Sequence, residues 1–179
     1  MMVRRAIYVA SSWSNRRHST VVDTLRRCGH QVYDFKHTTA GTDREFRWEE
    51  LFVTDPNAVD AHLAPPEPTR AATYLASLTH RAAELGFRRD QEAMLAADTI
   101  VLVLPCGRSS HLELGWAVGA GKRSAILLDD PCTPELMYKM VDRIATDLDD
   151  LVEWLANPAS PQPSTNPRRI ASPEEALML

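Results

Sequence analysis

The hydrophobic residues of this chain form short continuous runs that alternate with longer stretches of helical spacing. The most regular run covers residues 99–104, TIVLVL, and contains no polar alternation, as is typical of a parallel strand covered by helices on both faces. Similar runs predict strands at residues 4–10, 30–35, 123–128 and near 143–146. Helical spacing predicts helices near residues 19–28, at 70–85 and 89–97, near 134–140 and at 148–156.

Strands that alternate with helices in this way predict an α/β fold. We expect a flavodoxin-like, doubly wound, parallel five-stranded sheet of order 2-1-3-4-5 with helices on both faces. We interpret residues 1–156 as a single domain with an irregular insertion at 36–69, followed by a proline-rich C-terminal arm at 157–179. The switch point of such a sheet lies between its first and third strands. The loop after Ala10 and the loop after Leu104 should therefore face one crevice, where open α/β sheets bind ligands.

A helix with one carboxylate near its start follows the central strand. Ser109 or Ser110 can cap this helix, which would place Glu113 in its first turn. Its composition is apolar almost all round and predicts a buried helix. Gly115 and Gly119, one turn apart, would let its backbone approach the sheet closely.

Glu113 has two interpretations that the pattern alone leaves open. The segment from Ser110 to Glu113 matches the S-x-x-E capping box, in which the glutamate only satisfies a backbone N–H. Its location at the carboxyl end of a central parallel strand instead indicates a role toward a ligand.

The loop after the first strand contains groups suited to a nucleotide. It runs from Ser11 to His18 and combines Trp13 with hydroxyl, amide and guanidinium donors just before a helix. This mixture suits stacking of a base and binding of an anion. The alternative is an ordinary polar loop in which Trp13 covers the core.

Composition narrows the classes of partner. The chain has 179 residues and a formal net charge of -4, with 20 basic and 24 acidic residues mixed along it. No charge asymmetry therefore favours polymeric nucleic acid or a membrane surface, and no signal peptide or membrane-length apolar run is present.

Cys28, Cys106 and Cys132 form no C-x-x-C pair, which argues against a disulfide framework or zinc site and for a reducing cytoplasm. The histidines are scattered, so we expect no metal and no other cofactor.

Three segments resemble a known family. They are IYVASSW at residues 7–13, RDQEAMLAADTIVLVLP at 89–105 and HLELGWAVGAGK at 111–122. In these segments the chain is similar to nucleoside 2-deoxyribosyltransferases and to relatives that hydrolyse nucleotide N-glycosidic bonds. The resemblance covers residues 3–129, with the insertion poorly matched, and it implies a flavodoxin-like fold.

The resemblance implies roles for four residues. Glu113 matches the nucleophile, which attacks the anomeric carbon and forms a covalent glycosyl ester while the base departs. Tyr8 matches a tyrosine that orients the nucleophile, and Asp90 an acidic residue that holds the base or supplies a proton. Trp13 matches an aromatic residue that packs on the base.

Tyr8 and Asp90 also have structural explanations, as Glu113 and Trp13 do. Tyr8 can be a core residue with its hydroxyl satisfied. Asp90 can complement the dipole of a helix first turn. We interpret Asp98, by contrast, as a cap or turn residue and not as a catalyst.

The chain departs from the transferase pattern in the turn before the nucleophile. Transferases of the family can carry an aspartate there, whereas this turn reads Cys106-Gly107-Arg108-Ser109-Ser110. Relatives that act on 5′-monophosphates bind phosphate through hydroxyl and backbone donors of such turns. The candidate substrate-binding residues are Ser11, Ser12, Trp13, Arg16, Arg17, Gly107, Ser109, Ser110 and His111, of which His111 would contact the ribose.

Two classes of function follow from these residues. The favoured one is an enzyme that cleaves or exchanges the N-glycosidic bond of a (deoxy)nucleoside or nucleoside 5′-monophosphate through Glu113. The alternatives are a non-catalytic nucleotide-binding module and an NAD glycohydrolase, because NAD-splitting domains also use a glutamate near a doubly wound sheet. The expected partners are the nucleoside or nucleotide, an acceptor base and, from the resemblance, identical subunits of a homo-oligomer.

Overall fold

A computed structural model of the chain describes residues 3–37, 71–129 and 131–157. The strands in this part are β1 (Ala6–Ala10), β2 (Gln31–Tyr33), β3 (Thr99–Val103), β4 (Arg123–Leu127) and β5 (Arg143–Ala145). The α-helices are α1 (His18–Arg27), α2 (Ala71–Leu78), α3 (Arg81–Ala96), α4 (Arg108–Gly119) and α5 (Leu148–Ala156). A 3-10 helix, Leu136–Met140, lies between β4 and β5.

The five strands form one parallel sheet of order β2-β1-β3-β4-β5. This confirms the predicted flavodoxin-like order. β3 is the central strand, and in its register Val101 lies opposite Val9 of β1 and Ala125 of β4. All five residues of β3 are buried, because helices cover both faces of the sheet at its centre.

The two faces of the sheet are covered by different helices. On one face, alternate strand residues such as Val9 and Val101 form a core cluster with Leu25 of α1 and Leu151 of α5. The intervening strand residues point to the other face, where α4 packs against β1, β3 and β4. The predicted arrangement of helices on both faces is therefore present.

The helix α4 is less buried than its composition predicts. Its buried residues are confined to one stripe, namely Ser110, Leu114, Ala117 and Val118. Leu112 is 77% exposed, and a Cβ placed on Gly115 would meet no atom within 4 Å. The predicted buried helix with glycines against the sheet is wrong, because Gly115 and Gly119 lie on the exposed side of the helix.

The helices α2 and α3 differ in their bounds from the helices that we predict. The break between α2 and α3 lies at Thr79 and His80, where we predict continuous helix from 70 to 85. The cause is local, since the His80 Nδ1 accepts a hydrogen bond from the Ala82 backbone N–H at 3.2 Å and so competes with the helical pattern.

The chain divides into two compact units. One contains residues 1–34 and 96–179, including the whole sheet, and the other contains Phe35–Leu95. Residues 38–70 of the predicted insertion and 158–179 of the predicted arm lie outside the described residues, so the domain organisation stays a prediction. In the described ranges no helix is long and apolar enough to cross a membrane.

Asp98 joins three strands at the amino edge of the sheet. Its carboxylate accepts hydrogen bonds from the Ala6 backbone N–H at 2.8 Å and from the Thr99 hydroxyl at 2.5 Å. Its backbone carbonyl accepts from the Arg123 N–H at 3.1 Å. These contacts confirm Asp98 as a turn and capping residue at the edge opposite the crevice.

Candidate active site

The loop after β1 and the turn after β3 are bound to each other at the carboxyl edge of the sheet. The Ser11 hydroxyl donates to the Val103 carbonyl at 2.9 Å. The Asn15 side-chain amide donates to the same carbonyl and to that of Pro105, both at 3.1 Å. The predicted adjacency of these two loops is confirmed, because β1 and β3 are neighbours in the sheet.

Ser11 and Ser110, two of the predicted binding residues, donate their hydroxyl protons to backbone carbonyls of the protein. Ser110 donates to the Ser11 backbone carbonyl at 2.9 Å, and the side chains of both residues are buried. Ser12, half-buried, shares a 2.9 Å hydrogen bond with the Ser14 hydroxyl, and Ser109 is exposed. A ligand in this crevice therefore reaches Ser12 and Ser109 more readily than Ser11 and Ser110.

The helix α4 starts earlier than predicted. Its N-cap is Gly107, which makes no side-chain capping hydrogen bond, and its first residue is Arg108. The predicted caps Ser109 and Ser110 lie within the first turn, because the Ser110 hydroxyl bonds to Ser11 and not to its own helix. The prediction that Glu113 lies in the first turn is also wrong, since that turn holds no acidic residue.

This helix start removes the capping-box interpretation of Glu113. A capping box requires a serine at the N-cap and a glutamate three residues later, whereas Gly107 occupies the N-cap and Ser110 the third helical position. Glu113 is half-buried, and on α4 it lies one turn from each of the buried residues Ser110 and Ala117.

The negative charge of Glu113 affects the ionisation of Cys106 in the turn after β3. Burial raises the pKa of the Cys106 thiol to about 11, and the neighbouring Glu113 carboxylate contributes to this shift. The negative charge of Glu113 therefore disfavours ionisation of the thiol that follows the central strand.

His111 is held by two hydrogen bonds of its imidazole. Its Nδ1 lies 2.9 Å from the Gly107 carbonyl oxygen, and its Nε2 lies 2.8 Å from the Tyr138 hydroxyl. The two rings also stack, with centroids 5.8 Å apart and an interplanar angle of 16°. The Cys106 Sγ is 3.5 Å from the same Nδ1.

Tyr138 is a polar residue of this edge that sequence reasoning missed, and Asn15 was predicted only as one of the donors in the loop after β1. The signal for Asn15 was its position in the loop after β1. The signal for Tyr138 was the parallel sheet itself. In such a sheet all strands end at the same edge, so the segment that follows β4 begins at the edge where β3 ends.

Tyr8 and Trp13 differ strongly in exposure. Tyr8, on β1, is 1% exposed and stacks on Tyr33 of β2 with ring centroids 5.3 Å apart. Trp13 is 42% exposed in the loop after β1, as a residue that packs on a ligand base would be. Their implied roles toward a nucleophile and a base stay predictions.

The predicted anion ligands Arg16 and Arg17 also differ. The Arg17 guanidinium donates through Nη1 to the Leu128 carbonyl at 2.9 Å and to the Asp129 carboxylate at 3.1 Å. This residue therefore connects the start of α1 to the end of β4. Arg16 is exposed.

Asp90 lies in the second unit, near the middle of α3. The acidic residue in the first turn of that helix is Glu84, so the helix-dipole explanation of Asp90 is wrong. Its implied role toward the departing base stays a prediction.

Buried polar contacts at this edge also include His18 and Asp34. The His18 Nε2 lies 2.8 Å from an Asp34 carboxylate oxygen, and both side chains are buried. This pair connects the start of α1 to the end of β2. Among residues 3–37, 71–129 and 131–157, no three His, Cys, Asp or Glu side chains are grouped to hold a metal ion.

Comparisons with known proteins show similarity at the level of the fold. No family model and no curated protein matches the sequence. A solved 2-deoxyribosyltransferase from the psychrotolerant bacterium Bacillus psychrosaccharolyticus superposes with a TM-score of 0.56 at 17% identity, covering 87% of this chain and 98% of that one. A conserved protein from Enterococcus faecalis V583 superposes with a TM-score of 0.50 at 14% identity, covering 86% of this chain and 98% of that one. At these identities the shared property is the architecture.

Proposed function

We propose that this protein cleaves or exchanges the N-glycosidic bond of a (deoxy)nucleoside or nucleoside 5′-monophosphate through a covalent glycosyl ester on Glu113. The observation that carries the proposal is the position of this carboxylate. Glu113 is the carboxylate residue of the helix that follows the central strand, the residue is half-buried, and it does not occupy the capping-box position of α4. A fold shared with a 2-deoxyribosyltransferase supports the same function.

The chemistry suits a single carboxylate. As the bond between C1′ and the base nitrogen breaks, its electron pair leaves with the base and positive charge develops on the sugar ring. The Glu113 carboxylate stabilises that charge and then forms the ester bond to C1′. Water or a second base attacks C1′ in the next step, which restores the carboxylate and gives a free sugar or a new nucleoside.

Other residues of the edge support a nucleotide substrate. Trp13 offers an exposed ring for a base. Ser12, Ser109 and Arg16, with the backbone N–H groups at the uncapped start of α4, offer donors for a 5′-phosphate. The resemblance supports a homo-oligomer, and the free thiols of Cys28, Cys106 and Cys132 support a reducing compartment such as the cytoplasm.

The decisive experiment traps the intermediate. After incubation with a 2′-deoxynucleoside and acid quenching, mass spectrometry of the peptide containing Glu113 should show the added mass of one deoxyribosyl group. Glu113→Gln should lose this adduct and lower kcat at least about a thousandfold, because the amide is a poor nucleophile.

The matched control is Glu153→Gln, which removes an exposed carboxylate from α5. This variant should keep the adduct and the rate of the unmodified protein. An adduct that persists in Glu113→Gln would contradict the proposal.

A substrate panel separates the alternatives. It contains deoxynucleosides, their 5′-monophosphates and NAD, each with and without a second base. Free base without an acceptor identifies a hydrolase, and a new nucleoside identifies a transferase. Cleavage of NAD alone, or binding without any turnover, would contradict the proposal in favour of a glycohydrolase or a binding module.

A further inference from the structure

The amino edge of the sheet contains a buried histidine that accepts a hydrogen bond from the backbone. The Arg5 backbone N–H donates to the His30 Nδ1 at 3.3 Å, and only 6% of His30 is exposed. The Gln31 N–H donates to the Arg5 carbonyl at 2.9 Å, so this contact continues the pairing of β1 with β2 toward the amino edge. Because a backbone N–H can only donate, the His30 Nδ1 carries no proton in this arrangement.

Arg5 also connects this histidine to the end of α5. Its Nε donates to the Leu155 carbonyl and its Nη2 to the Asn157 carbonyl, both at 2.9 Å. The last carbonyls of a helix have no partner within the helix, and its C-terminus favours a positive charge. One residue therefore stabilises the end of α5 through its side chain and bonds to His30 through its backbone.

The surroundings of His30 oppose its protonation. Burial and the positive charge of Arg5 lower the pKa of the His30 imidazole, and the negative charge of Asp98, in the turn before β3, offsets this only in part. Arg26 and Arg27, the basic residues in the last turn of α1, donate to a β2 carbonyl and to a hydroxyl of their own helix. His30 is therefore neutral at neutral pH and takes up a proton only in acid.

We propose that His30 and Arg5 form an acid-sensitive contact, in which protonation of the imidazole displaces Arg5 and frees the last turn of α5 while the sheet stays folded. The added proton occupies Nδ1, so the Arg5 N–H loses its acceptor, and the imidazolium repels the Arg5 guanidinium. The Trp154 carbonyl keeps a separate donor, the Arg123 guanidinium at 2.8 Å. The change is therefore confined to the end of the helix.

The direction of the pH dependence follows from the lowered pKa. His30 binds its proton at a pH of about 6.5 in the unfolded chain and at a lower pH in the folded one, so the free energy of unfolding falls as the pH decreases through this interval. Above the interval His30 is neutral in both states and contributes no pH dependence.

Hydrogen exchange of the full-length protein tests this contact. Protection factors, corrected for the effect of pH on intrinsic exchange, should fall about fivefold or more at residues 150–157 between about pH 7.5 and about pH 5. Residues 99–103 of β3 should keep their protection. Unchanged protection at the end of α5, or an equal loss in β3, would overturn the inference.

His30→Asn separates this histidine from the other groups that titrate in acid. The asparagine Oδ1 can accept the Arg5 N–H in place of Nδ1 but binds no proton in this range, so the variant should lose the acid-induced change. The matched control is His80→Asn, which replaces an exposed histidine that also accepts a backbone N–H, and it should keep the change. A change that persists in His30→Asn would contradict the role of His30.

Nuclear magnetic resonance of the unmodified protein keeps the test decisive if His30→Asn folds poorly. Long-range correlation of the ring protons with the ring nitrogens should show the neutral His30 with its proton on Nε2. Its titration midpoint should lie below that of a free histidine, about 6.5. A proton on Nδ1, or a midpoint at or above that value, would refute the contact. These measurements involve no nucleoside, so their outcome is independent of the proposed function.

Discussion

Asn15 connects the loop after β1 to the turn after β3 by several hydrogen bonds. Its amide donates to the Val103 and Pro105 carbonyls and to the Ser11 hydroxyl, and its Oδ1 accepts from the Arg17 backbone N–H at 2.8 Å. Only 4% of the residue is exposed, so water cannot replace these partners without local opening.

We expect Asn15→Ala to lower the free energy of unfolding by about 3 kcal/mol, because buried carbonyls lose their donor. Urea denaturation would measure this loss. Ser14→Ala, an exposed substitution in the same loop, should change the free energy of unfolding by less than about 0.5 kcal/mol. A similar small effect for Asn15→Ala would show that the loop is not held by this amide.

The rate at which the Cys106 thiol is alkylated depends on its pKa, and that pKa is influenced by the Glu113 carboxylate. With a pKa of about 11, about one Cys106 thiol in a thousand is ionised at pH 8, against about a quarter for an ordinary thiol. In a protein whose Cys28 and Cys132 are replaced by serine, alkylation by iodoacetamide should be slow at pH 8 and rise about tenfold per pH unit toward pH 11.

Glu113→Gln removes a negative charge that opposes formation of the Cys106 thiolate. The pKa of Cys106 should therefore fall, and alkylation at pH 8 should accelerate severalfold. Glu153→Gln should leave the rate unchanged. An unchanged rate in Glu113→Gln would contradict the proximity of carboxylate and thiol.

Among the helices, α4 and α5 begin in opposite ways. The Asp147 side chain caps α5 by accepting from the Asp150 backbone N–H at 2.8 Å. α4 begins at Gly107 with no side-chain cap, although a Cβ at that position would meet no atom within 4 Å. The start of α4 is therefore less stabilised than local chemistry permits, as is common where backbone donors face a ligand.

We expect Gly107→Asp to raise the free energy of unfolding by about 0.5 kcal/mol, because its carboxylate would cap α4 and interact favourably with the helix dipole. The same charge should repel a 5′-phosphate. The KM of a nucleoside 5′-monophosphate should then rise about fivefold or more relative to that of the nucleoside.

Gly107→Ala is the control for this substitution, since it adds a methyl group without charge or capping oxygen. It should leave the ratio of the two KM values unchanged. If Gly107→Asp also leaves this ratio unchanged, the phosphate does not bind at the start of α4.

Local sequence determines some of these elements better than others. The run at residues 99–104 identifies β3 because it is short, rich in β-branched residues and without polar alternation, as is typical of a strand buried on both faces. The start of α4 could not be predicted, since the local sequence does not decide whether the Ser110 hydroxyl bonds to its own helix or to a distant carbonyl. The contact with Ser11, 99 residues away, decides between them.

At the scale of the whole molecule, strand order could be predicted because parallel connections are restricted in handedness and length. That order also placed the loops after β1 and β3 together. The contact of Tyr138 with His111 could not be predicted in the same way, because it depends on the direction of one side chain in the short 3-10 helix between β4 and β5.

The pairing of β1 with β3 has a consequence for synthesis of the chain. β1 and β2 are synthesised well before β3, so β2 is the only sheet neighbour available to β1 until Thr99 to Val103 leave the ribosome. At typical translation speeds this delay is roughly 5–20 s. During that interval the edge of β1 that later pairs with β3 has no partner strand in the emerged chain, and an unpaired strand edge can pair with another chain.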